Sequence, residues 1–259
     1  MSDSLPGPST GSLTATTVSL AGHGGDAIEA YLARPEGDAR RGGVVVIHHM
    51  PGYDRQTKEM VRRFAESGYD AVCPNLYTRE APGAAPDDAA AVARAQGGVP
   101  DERLIGDVAG AAAYLRALPT SNGKVGVIGH CSGGRQAVLA GCATDVDAVV
   151  DCYGAFVIGP VPEGSPMKVT SLVDRLPDLG APLLGLFGDE DTHPGPAEVA
   201  ELGGLLTESD KAFEFHTYPG AGHGFFAVNR PNYNVAAAND GWERIEEFYG
   251  RHLAGGERS

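Results

Sequence analysis

The stretch Lys124-Val125-Gly126-Val127-Ile128-Gly129-His130-Cys131-Ser132-Gly133-Gly134-Arg135-Gln136 decides how the chain is read. It opens with an apolar run long enough for a buried strand and turns sharply through glycines. Gln136-Ala137-Val138-Leu139-Ala140 then reads as a helix. Gly129-x-Cys131-x-Gly133 has the spacing of G-x-S-x-G, the nucleophile elbow, with a thiol where serine is usual. Small flanking residues let strand and helix approach closely, while the central residue is held in a strained turn with its side chain presented.

On either side of this unit the pattern alternates between short β-rich runs and helical periods. Leu13 to Leu20 and Ala27 to Ala33, joined through Gly22-His23-Gly24-Gly25, read as an antiparallel hairpin at a sheet edge. Gly43 to His48 is a Val/Ile run suited to a strand covered on both faces. Gln56 to Ser67 carries Met60, Val61 and Phe64 at helical spacing and stops at Gly68. A short strand follows at residues 70–74, then a Pro/Gly/Ala-rich stretch with a weak helix near 86–96. Glu102 to Leu118 is a firmer helix, ended by Pro119. Beyond the elbow, strands are expected at 148–153, 182–188 and 212–218. Helices are expected around 195–206 and 235–253, and residues 154–180 form an irregular excursion. This rhythm predicts a mainly parallel central sheet with helices on both faces. Residues 12–254 are read as one α/β domain and residues 1–11, rich in Ser, Pro and Gly, as a flexible tail.

Composition narrows the function. The 259 residues carry 20 Lys and Arg against 34 Asp and Glu, a net charge of -14. That balance argues against nucleic acid as a partner, since phosphates require a basic surface. No apolar run approaches the ~20 residues of a membrane span. The start of the chain lacks a basic region followed by an apolar one, so the expected location is cytoplasmic. Cys73, Cys131, Cys142 and Cys152 form no C-x-x-C pair and are read as thiols, of which Cys131 alone is presented by a turn. The chain has no H-E-x-x-H, no zinc-like Cys/His spacing and no phosphate-binding glycine motif, so neither metal nor cofactor is implied.

Ligands of open α/β sheets bind beyond the carboxyl ends of the strands. Cys131 follows the elbow strand, Gly188-Asp189-Glu190-Asp191 follows the next-to-last strand, and Gly220-Ala221-Gly222-His223-Gly224 follows the last. Nucleophile, acid, histidine is the chain order of the α/β-hydrolase fold. Imidazole takes the nucleophile's proton, and a carboxylate behind it sets the tautomer and stabilises the imidazolium. The oxyanion formed on attack requires two N–H donors. Ser132, after the nucleophile, supplies one; Met50, in the turn His48-His49-Met50-Pro51-Gly52, is the candidate for the other. Pattern alone does not choose among Asp189, Glu190 and Asp191. Ser132 is a rival nucleophile but sits off-centre in the glycine bracket.

Four motifs in this order, GHCSGG at the elbow, CPNLYTREAPG at 73–83, GDEDTHP at 188–194 and GAGHGFF at 220–226, together with Arg230, Tyr233 and Trp242, resemble the dienelactone hydrolase (carboxymethylenebutenolidase-like) family of α/β-hydrolases. The resemblance spans roughly residues 25–253 and implies a Cys131–His223–Asp191 triad, with Asp191 favoured on that ground. It also implies that Arg79 and Arg230 hold a substrate carboxylate, a task for which the planar guanidinium is suited. One position departs. The family carries a glutamate, linked to control of the thiol, where this chain has His49, which can donate to a substrate oxygen, pair with the thiolate, or simply line the turn.

The expected activity is therefore opening of a small, carboxylate-bearing ester or lactone through a thioacyl intermediate. A same-fold cyclase, isomerase or lyase and a non-catalytic binder on the same scaffold are the alternatives.

Overall fold

A computed structural model describes residues 12–254; the tail expected over 1–11 lies outside the described residues. Eight strands join one sheet: β1 (Leu13–Ala21), β2 (Ala27–Pro35), β3 (Arg41–Ile47), β4 (Asp70–Pro74), β5 (Ser121–His130), β6 (Ala148–Cys152), β7 (Leu183–Gly188) and β8 (Phe213–Tyr218). The helices are α1 (Arg55–Glu66), α2 (Pro86–Ala95), α3 (Asp101–Arg116), α4 (Ser132–Ala143), α5 (Pro196–Glu208) and α6 (Val235–Leu253). Across the sheet the order is β1-β2-β4-β3-β5-β6-β7-β8. The β1–β2 hairpin pairs Leu13 with Pro35 and Ala21 with Ala27, and β2 runs antiparallel to β4. From β4 to β8 every neighbour is parallel.

The alternation of side chains along each strand divides the core into two layers. Val45, Ile47, Val125, Val127, Val149 and Leu183 face the layer closed by α2, α3, α4 and α5. Val44, Val46, Ile128, Val150, Leu184 and Leu186 face α1 and α6, where Phe64, Trp242, Phe248 and Tyr249 pack. Strands β3 to β7 are therefore buried on both faces, which is why they read as continuous apolar runs.

The weak helix expected near 86–96 is a full helix over Pro86–Ala95, started by proline at its first position and by Asp87 and Asp88 in its first turn. Strand β5 begins at Ser121, four residues before Val125 opens the apolar run, because Arg41 and Ser121 pair there. The excursion over 154–180 contains a 3-10 segment at Val173–Asp178.

Strand order fixes where a cleft can form. From β3 the chain crosses to β4 on one side, while β5 lies on the other. Connections leaving in opposite directions open a crevice at the carboxyl ends of β3 and β5. The His48–Gly52 turn leaves one of those ends and Cys131 leaves the other.

Candidate active site

Cys131 is the hinge between β5 and α4, with φ 56 and ψ -122. A left-handed backbone is strained for a residue with a side chain. It is held by glycines on both sides. A Cβ at Gly129 would lie 1.9 Å from the Gly133 carbonyl oxygen, and one at Gly133 would lie 2.5 Å from that of Ile47. Neither position accepts any larger residue without displacing main chain. Of the four free thiols, Cys73, Cys142 and Cys152 are buried and Cys131 is partly exposed.

Asp191 and His223 meet across the loops after β7 and β8. His223 Nδ1 lies 2.8 Å from Asp191 Oδ2, so its Nδ1–H donates to the carboxylate and Nε2 is the nitrogen left over. The other carboxylate oxygen accepts the His193 amide at 2.8 Å, which fixes the Asp191 side chain from both ends. Asp189 instead accepts the Gly220 amide at 2.7 Å, tying the two loops together, and Glu190 is exposed. Of the three acids that sequence pattern leaves open, Asp191 is the one that contacts His223. Burial alone would lower the pKa of His223; hydrogen bonding with Asp191 and with the Cys131 thiol overrides it and raises the value to about 10. The Tyr153 ring stands edge-on to His223 at 5.2 Å and completes the wall.

The turn after β3 forms the opposite wall. His48 is buried, accepts the Leu76 amide on Nε2 at 3.2 Å and directs Nδ1 to the His49 carbonyl at 3.0 Å. Burial lowers its pKa to about 4, so it is a neutral strut of the turn. Ser132 is the first residue of α4, and Met50 lies on the cleft. Among the described residues, neither the Met50 nor the Ser132 amide donates to main chain outside the regular helices and strands.

His49 also lines the cleft, with Nε2 3.4 Å from Asp54 Oδ2. Sequence reasoning passed over Asp54, although its place before a helical period marks it as a cap; its Oδ1 accepts the Thr57 amide at 2.8 Å.

The two arginines have different fates. Arg230 is exposed and borders the cleft together with Cys131, His130 and His223. Arg79, expected to face a substrate, is not among the residues that line the cleft. Its Nη1 and Nη2 each donate to Asp107 at 2.9 Å, and its Nε donates to Asp26 at 2.7 Å. A buried carboxylate on α3 and a second in the β1–β2 connection thus accept from all three guanidinium nitrogens.

The resulting cleft has a volume of about 320 Å³. Among the described residues, no group of three or more His, Cys, Asp or Glu is placed to hold a metal ion. No helix among them is long and apolar enough to cross a membrane.

A mainly parallel sheet with an elbow after its central strand, and an acid and a histidine after two later ones, defines an α/β-hydrolase. The model of the dienelactone hydrolase family matches residues 28–253. The chain is 32% identical to the carboxymethylenebutenolidase of Pseudomonas putida over 213 residues, covering 79% of this chain and 84% of that protein. It is 33% identical over 248 residues to a Salmonella typhimurium protein provisionally named carboxymethylenebutenolidase, covering 93% and 89% of the two chains. A crystal structure of a provisionally named dienelactone hydrolase from Klebsiella pneumoniae superposes with a TM-score of 0.81 at 26% identity, covering 93% of this chain and all of that one. The chain belongs to the dienelactone hydrolase family and is an ester or lactone hydrolase.

Proposed function

We propose that residues 12–254 act as one catalytic domain that opens a small ester or lactone through a thioacyl intermediate on Cys131. The observation that carries this reading is the Asp191–His223 pair, joined at 2.8 Å, on the same cleft as the Cys131 thiol. His223 accepts the thiol's proton and the Cys131 sulfur is the nucleophile. Sulfur attacks the carbonyl carbon, and the oxyanion accepts from the Met50 and Ser132 amides. The carbon–oxygen bond to the leaving group breaks, and that oxygen takes the proton carried by His223. Water then attacks the thioester, the carbon–sulfur bond breaks, and the acid is released.

Arg230 at the mouth favours a substrate that bears a carboxylate, and His49 lies where it can touch that substrate. A family relative named carboxymethylenebutenolidase points to the same class, an unsaturated lactone with an acidic side arm. The four free thiols suit a reducing, cytoplasmic setting. Hydrolysis of activated esters and unsaturated lactones by wild type and Cys131→Ala tests the mechanism. Turnover is expected to fall at least ~100-fold in the variant. Undiminished turnover would overturn it.

A further inference from the structure

Three histidines line the cleft with the thiol, His48 adjoins one of them, and their partners sort the four. His48 is a strut of the turn, with both ring nitrogens bonded to main chain. His130 is buried, packed edge-on to Tyr153 and Phe226, and burial drives its pKa down to about 3. His223 belongs to Asp191 and Cys131. His49 is the fourth, and it has a carboxylate of its own.

That carboxylate is well held. Asp54 caps α1 through Oδ1 and faces His49 Nε2 through Oδ2 at 3.4 Å. Burial would raise its pKa, but the His49 ring and the Thr57 amide prevail and bring it to about 2, so it is an anion at neutral pH. An anion facing Nε2 keeps the proton on that nitrogen and leaves Nδ1 with the lone pair. The turn after β3 therefore brings a second histidine–carboxylate pair to the cleft that His223 lines.

We propose that His49, oriented by Asp54, is the general base that activates water for hydrolysis of the thioester. This rests on the reading of Cys131 as nucleophile and assigns the second half of the reaction. After acylation His223 has given its proton to the leaving group and Cys131 Sγ carries the acyl chain. A water on the His49 side loses a proton to Nδ1 as its oxygen bonds to the carbonyl carbon. The tetrahedral intermediate collapses, the carbon–sulfur bond breaks, and the thiolate and free acid are formed. The proton on His49 returns through solvent to His223, restoring the starting pair. Dividing the two proton transfers between opposite walls leaves each base in place for one step and removes any need for His223 to change sides.

The test separates the two half-reactions with 4-nitrophenyl acetate. In His49→Gln, which keeps a polar side chain of similar reach but takes up no proton, acylation is expected to proceed within about threefold of wild type. Steady-state turnover is expected to fall about 100-fold. A burst of one nitrophenolate per site and an acetyl adduct on Cys131 in intact-protein mass spectra are the signature. Asp54→Asn keeps the helix cap and removes the anion; it is expected to slow the same step by a smaller factor. The burst itself counts folded sites in both variants. An unchanged steady state, or an equal loss in acylation and deacylation, would overturn the role of His49. Absence of any acyl adduct on Cys131 in wild type and variants, with turnover surviving Cys131→Ala, would instead overturn the reading of Cys131 beneath it.

Discussion

Arg79 grips Asp107 with both terminal nitrogens, each at 2.9 Å, and the Asp107 side chain is wholly buried while that of Arg79 is 20% exposed. Asp107 also accepts the His23 amide at 2.8 Å, so this pair clamps α3 to the β1–β2 connection. An arginine in a motif associated with substrate binding is here part of the frame.

Arg79→Ala should accordingly act on stability. Removing one partner leaves Asp107 buried and uncompensated, a loss of about 3 kcal/mol in urea unfolding. The Arg79→Ala/Asp107→Ala double variant should lose less than the sum of the singles. KM for a carboxylate-bearing ester should stay within about twofold in Arg79→Ala and rise about tenfold in Arg230→Gln, while a neutral ester distinguishes neither. A raised KM in Arg79→Ala alone would return that residue to the cleft.

The raised pKa of His223 predicts a pH dependence with a definite sign. A histidine whose folded pKa, about 10, exceeds its unfolded value of 6.5 favours the folded state when protonated. That contribution is complete below about 6.5 and is lost as pH rises through about 10. Melting temperature should therefore decline across this window in wild type. Asp191→Asn, which removes a hydrogen bond that raises the value, should show a shallower decline and lose about 100-fold or more in turnover.

Asp151 offers a second titration beneath the elbow. It is fully buried on β6, where a Cβ at Gly134 would lie 2.2 Å from its Oδ1, and burial raises its pKa to about 7. The protonated form is the one the fold tolerates. Its stabilising effect is complete below the unfolded value of 3.8 and is lost as pH rises through about 7. Asp151→Asn stays neutral throughout, so its melting temperature relative to wild type should rise between about pH 4 and pH 8. A constant difference would show that Asp151 does not titrate there.

The elbow glycines should be intolerant of even one methyl. Gly133→Ala would press Cβ against the Ile47 carbonyl oxygen at 2.5 Å, and Gly129→Ala would be worse at 1.9 Å from that of Gly133. Both contacts are with main chain, which has no rotamer to adopt, so about 2–4 kcal/mol of stability should be lost in each. Gly204→Ala on α5, with open space around it, should instead be neutral or stabilising. Thermal unfolding of the three proteins provides the comparison.

Much of the frame was legible in the sequence. Strands β3 to β7 showed themselves because burial on both faces demands uninterrupted apolar runs, and the elbow because its glycines answer a local steric need. The firm helix over Pro86–Ala95 was less visible. Its Ala-rich, Asp-containing sequence has modest periodicity, and it is held by packing of Ala89, Ala90 and Ala93 into the core. The pair His49–Asp54 was missed although its members lie five residues apart, since only the start of α1 directs Asp54 back to the ring.

By itself, then, the sequence determined the alternation of strands and helices, the strained turn at Cys131, and the order of nucleophile, acid and histidine. These depend on short-range sterics and on the periods of strand and helix, which any reading of neighbouring residues recovers. Tertiary structure alone decided that Asp191, not Asp189 or Glu190, meets His223; that Asp54 stands behind His49; and that Asp107 and Asp26 pair with Arg79. Arg79 lies 28 residues from one of its partners and 53 from the other. Charges choose partners by distance in space and by burial, and both are set only when the sheet has brought its loops together.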